Sequence, residues 1–85
     1  MLGQIINNQN YIEIQYNSLV GLPGVTYKTR AIHKSKIVYL ALEKEEKYLE
    51  MHLSNGELFQ VSKEMFQEPS CNSNKELFDV LKTYL

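Results

Sequence analysis

Residues 47–62, KYLEMHLSNGELFQVS, decide the fold of this chain. Leu49, Met51 and Leu53 alternate with Tyr48, Glu50 and His52, the period of a strand with one buried and one wet face. Two registers compete for the hairpin that Asn55-Gly56 closes. A two-residue turn sets Leu53 opposite Leu58, Met51 opposite Gln60 and Leu49 opposite Ser62. A three-residue loop with Gly56 as the left-handed bulge residue instead sets Met51 opposite Phe59, Leu49 opposite Val61 and Glu50 opposite Gln60. A slip of one residue exchanges every side chain between faces, so the apolar pairing selects the bulged loop. The expectations are a positive φ at Gly56 and Phe59 packed beside Met51.

Outward from this hairpin, further strands are predicted at Gly3–Ile6, Tyr11–Tyr16, Val25–Ile32, Lys36–Leu42, Lys47–Leu53 and Glu57–Val61. Their breaks are rich in Asn, Gly, Pro or charge. Asn7-Asn8-Gln9-Asn10 reads as a polar turn, and Leu22-Pro23-Gly24-Val25 as a type II turn. Ser62–Phe66 reads as a helical turn and Gln67–Asn72 as a connection. Ser73-Asn74-Lys75-Glu76 has the spacing of a capping box, with Ser73 as N-cap and Glu76 reaching back. Behind it Leu77, Phe78, Leu81, Tyr84 and Leu85 form one apolar stripe, and a helix this short must dock on the sheet to be stable. The predicted fold is α+β and mainly β: a five- or six-stranded, largely antiparallel sheet or partly open barrel with one C-terminal helix.

Eighty-five residues, 44% apolar and 22% charged, fit a single small β-rich domain spanning 1–85 and not a disordered chain. No apolar run approaches the length of a membrane span, and the start, MLGQIINNQN, lacks the regions of a signal peptide. The lone Cys71 admits no internal disulfide, so a reducing cytoplasm is the expected location. Lysine outnumbers arginine eight to one and Asn, Ile and Tyr are plentiful, a composition of AT-rich coding in a low-GC bacterium or its phage.

Charge is unevenly placed. Residues 1–40 carry Lys28, Arg30, Lys34 and Lys36 against Glu13 alone, a net +3, whereas residues 41–85 carry a net −4. Such asymmetry marks two faces with different partners, or a solvated surface whose charges happen to segregate. Lys28, Arg30, His33, Lys34 and Lys36 are the candidate binding residues. On a strand Lys28 and Arg30 share one face, with Tyr27, Thr29 and Ala31 on the other. This basic patch suits an acidic protein surface, or phosphates with Tyr11 or Tyr48 stacking on bases.

Catalysis has little to build on. Cys71 has no flanking nucleophile motif toward His33 or His52. Two histidines 19 residues apart and one cysteine lack zinc-ligand spacing. No phosphate loop or dinucleotide fingerprint occurs. Glu43, Glu45, Glu46 and Glu50, interleaved with Lys44 and Lys47, read as a solvated hairpin loop. No catalytic residue, metal or cofactor is expected.

Residues 36–66, KIVYLALEKEEKYLEMHLSNGELFQVSKEMF, resemble the central part of a LytTR domain. Ile37, Tyr39, Leu40, Tyr48, Asn55 and Gly56 carry the likeness: an I-x-Y-hydrophobic strand, a Y-x-hydrophobic strand, a polar-Gly turn, a third strand and a short helix. The resemblance implies a bacterial DNA-binding transcription regulator. The family's later Phe-x-x-x-His-x-Ser strand has no counterpart after Phe66, so no functional residue is carried over. Two functions are thus expected. The first is a small non-catalytic bacterial or phage protein-interaction module (inhibitor, immunity-type or regulatory factor), with a protein partner and an exposed strand edge that admits a homodimer. The second is a LytTR-like regulator using the basic strand 28–36 on nucleic acid.

Overall fold

The computed structural model describes residues 3–17 and 27–85. Among these described residues seven strands and one helix follow in order: β1 (Gly3–Asn7), β2 (Tyr11–Asn17), β3 (Tyr27–His33), β4 (Ile37–Leu42), β5 (Leu49–Leu53), β6 (Leu58–Val61), β7 (Phe66–Glu68) and α1 (Asn74–Tyr84). One-turn 3₁₀ segments at Lys34–Lys36 and Lys63–Met65 carry the chain from one sheet to the other. The fold is α+β and mainly β, as the sequence predicts. Its strands form two sheets, ordered β3-β2-β1-β7 and β4-β5-β6, that do not close into a barrel. The strand β7 takes Phe66 from the end of the expected helical turn and Gln67 and Glu68 from the expected connection, and it pairs parallel to β1. The expected turn at Leu22–Val25 lies outside the described residues.

The central hairpin adopts the bulged register. Leu49 pairs with Val61, Glu50 with Gln60 and Met51 with Phe59. Gly56 has φ +86°, where a side chain on the Cα would be strained. The loop closes by Leu53 N–H donating to Glu57 C=O at 2.9 Å and Gly56 N–H donating to Leu53 C=O at 3.0 Å. Leu49, Met51 and Leu53 are all buried, as their alternation requires.

Both sheets contribute to one core. Ile5, Ile12, Ile14 and Ile32 from the first meet Leu49, Met51, Phe59 and Val61 from the second. Tyr16 and Phe59 touch edge to face across the gap, ring centroids 5.3 Å apart. Gly3 is required where β1 crosses β2: a Cβ there would stand 1.7 Å from the Gln15 carbonyl oxygen.

The helix closes the core through Leu77 and Leu81, both fully buried, with Phe78 and Tyr84 packed alongside. Leu85, expected in the same stripe, lies beyond the helix and is half exposed. Ser73 caps the helix, its Oγ accepting from Glu76 N–H at 3.1 Å. The Glu76 carboxylate reaches back one residue further than a capping box requires, accepting from Asn72 N–H at 2.9 Å. Asn74 is the one buried polar side chain among the described residues. It accepts from Lys63 N–H at 2.8 Å and donates to Glu46 C=O at 2.9 Å, tying the helix start to both flanking turns.

Candidate interaction surfaces

The structure spreads the five basic-patch residues over three environments. Lys28 and Arg30 stand on the β3 face that also carries Ile32, opposite Tyr16 and Ile14 of β2. Lys28 is exposed at the far end. Arg30 is engaged internally: its guanidinium binds the Glu57 carboxylate and lies 5.2 Å from the Phe59 ring centroid. That hydrogen bond and the guanidinium charge hold the Glu57 carboxyl below the usual glutamate range. His33 ends β3 on the other face, opposite Tyr11. Lys34 is half buried in the 3₁₀ turn, its N–H donating to Asn10 C=O at 2.8 Å, while Lys36 is exposed. Five residue steps along the strand separate Lys28 from His33, about 16 Å. The patch is therefore not one continuous basic face.

Three of its members do come together. Arg30, His33 and Lys36 share a cleft of about 420 Å³ with Ser54 and Asn55 of the β5–β6 loop, over a floor that includes Ile32 and Leu53. Ser54 N–H, donating to Lys36 C=O at 2.8 Å, holds the two walls together.

A second surface lies on the outer face of the β4-β5-β6 sheet. Ile37 pairs with Leu53 and Tyr39 with His52, so β4 spends two residues where β5 spends one. In such a β-bulge both residues project to the same side. Val38 and Tyr39 are accordingly 60% and 53% exposed. The Tyr39 ring stacks on His52, centroids 4.1 Å apart and planes 14° from parallel. His52 Nε2 is 3.1 Å from the Glu50 carboxylate, and Leu58, paired with His52 on the next strand, is 43% exposed. Val38, Tyr39, His52 and Leu58 thus form an apolar and aromatic row across three strands. Sequence reading did not find it, because IVYLAL is apolar throughout and no alternation says which residues face water. The readable signal was Leu58, which the bulged register places on the wet face beside His52.

The remaining candidates are structural. Glu43 caps the β4–β5 turn, its carboxylate accepting from Glu45 N–H at 2.8 Å and Lys47 N–H at 3.1 Å. The first of these bonds leads in lowering its pKa. Burial, and then the neighbouring Glu76 carboxylate, push the Cys71 thiol up, which keeps it protonated and a poor nucleophile at neutral pH. Tyr11 faces outward and Tyr48 is half buried. Among the described residues no three His, Cys, Asp or Glu side chains cluster as metal ligands, and no helix is long and apolar enough to cross a membrane. In comparisons with known proteins, no family model, no curated protein and no solved structure matches this chain.

Proposed function

We propose that this protein is a small non-catalytic protein-interaction module, an inhibitor, immunity-type or regulatory factor of a bacterium or phage, whose contact face is the row Val38, Tyr39, His52 and Leu58. The observation that carries the reading is the β4 bulge, which places two apolar side chains in water where a regular strand would expose one. Bulges at sheet edges commonly re-aim side chains in this way, and a tyrosine at the centre of an apolar patch is the usual anchor of a protein interface. Glu50 beside the row and the acidic β4–β5 turn beyond it favour a partner whose apolar centre has a basic rim.

The rival reading, a LytTR-like regulator holding DNA with residues 28–36, draws less support. Its cations do not line up along one path: Lys28 stands well away from Lys34 and Lys36 of the 3₁₀ turn. A broken row of so few charges gives a shallow electrostatic footprint along a duplex backbone.

The test compares proteins captured from a native bacterial lysate by the wild type, by Tyr39→Asp/Leu58→Asp and by Lys28→Ala/Lys36→Ala, each verified as folded by its thermal melt. The reading expects a discrete partner lost with the first variant and retained with the second. Equal capture by all three, or loss only with the lysine variant, refutes it.

A further inference from the structure

We infer that the cleft between the end of β3 and the β5–β6 loop is a binding site for a phosphate monoester. It is independent of the face proposed above and involves none of its residues.

The walls supply positive charge and donors from separate parts of the chain. Arg30 comes from β3, Lys36 from the 3₁₀ turn, and Ser54 and Asn55 from the loop. Glu57 takes one terminal nitrogen of Arg30, and a guanidinium has five donor hydrogens, so the residue keeps capacity for a second anion. Its guanidinium is held over the Phe59 ring and by the Glu57 pair, so less side-chain freedom remains to be lost on binding. His33 is oriented as well. Ser35 N–H lies 3.4 Å from His33 Nδ1, and a backbone N–H can only donate. Ser35 Oγ meets the same nitrogen at 2.9 Å, so the ring is held from its Nδ1 side.

One held cation, Arg30, and a second, Lys36, with added neutral donors match a dianion better than a single carboxylate. The volume, about 420 Å³, falls within the range of small-molecule sites. The Ile32 and Leu53 floor gives an apolar or ring-bearing portion of the ligand a surface to lie on, so an organic phosphate fits better than the bare ion. Asn55 keeps the loop in shape, its Oδ1 accepting from Glu57 N–H at 2.9 Å.

The test is a titration of the ¹⁵N-labelled protein with phenyl phosphate, inorganic phosphate and benzoate, followed through backbone amide resonances. The expected result is a saturable change clustered at residues 32–36 and 53–55, tightest for phenyl phosphate and weakest for benzoate. Lys36→Gln, at an exposed position that leaves the fold intact, is expected to weaken phenyl phosphate by about tenfold, the equivalent of one charged contact, whereas Lys44→Gln leaves it unchanged. Changes spread over all the surface lysines, equal binding of phenyl phosphate and benzoate, an unaltered affinity in Lys36→Gln, or no saturable change would each overturn the assignment.

Discussion

The carboxamide of Asn74 donates to the carbonyl of Glu46 across 2.9 Å, and this bond joins the first turn of the helix to the tip of the β4–β5 hairpin. The same side chain accepts from Lys63 N–H, so one residue satisfies two backbone groups from distant parts of the chain. Asn74→Ala leaves both of these part-buried bonds unmade and a gap where the buried carboxamide stood. A loss of about 2–4 kcal/mol is expected, read from the urea midpoint. Asn74→Asp keeps the acceptor and removes the donor, and it is expected to fall between Asn74→Ala and the wild type.

Glu46 itself has φ +59°, a left-handed conformation that costs a non-glycine residue about 1–2 kcal/mol. Glu46→Gly retains the carbonyl that Asn74 binds and removes that strain. It is expected to raise stability by up to about 1 kcal/mol, after the extra chain entropy of glycine is subtracted. A lower urea midpoint than the wild type would contradict this.

The glycines separate two kinds of requirement. Gly56→Ala meets open space but keeps φ +86°, so a cost of about 1–2 kcal/mol is expected. Gly3→Ala puts a methyl group into the Gln15 carbonyl, a clash that only separation of β1 from β2 relieves. Its expected cost exceeds about 3 kcal/mol, beyond ordinary overpacking, and thermal melts of the two variants give the order directly.

Acid is expected to weaken the fold through several surface carboxylates. Glu57 is lowered by its hydrogen bond to Arg30, Asp79 by its hydrogen bond to Lys75, and Glu43 by the Glu45 amide. A group whose folded pKa lies below its unfolded value stabilises fully above the unfolded value and ceases to do so as pH falls through the folded one. Stability is therefore expected to be flat near neutrality and to decline from about pH 4 downward. Glu57→Gln should make that decline shallower. An unchanged slope would mean that the Arg30 pair is not formed in solution.

The hairpin from Leu49 to Val61 was legible because one face is buried: alternation fixed the inward residues, and apolar pairing fixed the register and the bend at Gly56. The helix was legible from its cap and stripe, though not the exact reach of Glu76. Less local features were not. A three-residue strand such as Phe66–Glu68 has no period to read, and its parallel partner β1 is more than 50 residues away. The β4 bulge is hidden in a run without polar residues. The charges of the basic patch stand plainly in the sequence. Their dispersal depends on Glu57 reaching Arg30 from 27 residues away and on β3 turning at His33. Tertiary structure alone decides such pairings.

The outer row of the β4-β5-β6 sheet is the account's central claim, and site-specific photocrosslinking tests it most directly. A benzophenone side chain placed at Tyr39, at Leu58 or, as a control, at Lys75 on the helix is activated in cells that make the protein. The account predicts one discrete protein adduct shared by positions 39 and 58 and absent from 75. Adducts formed only from position 75, or none from the row while the protein remains folded, would contradict it.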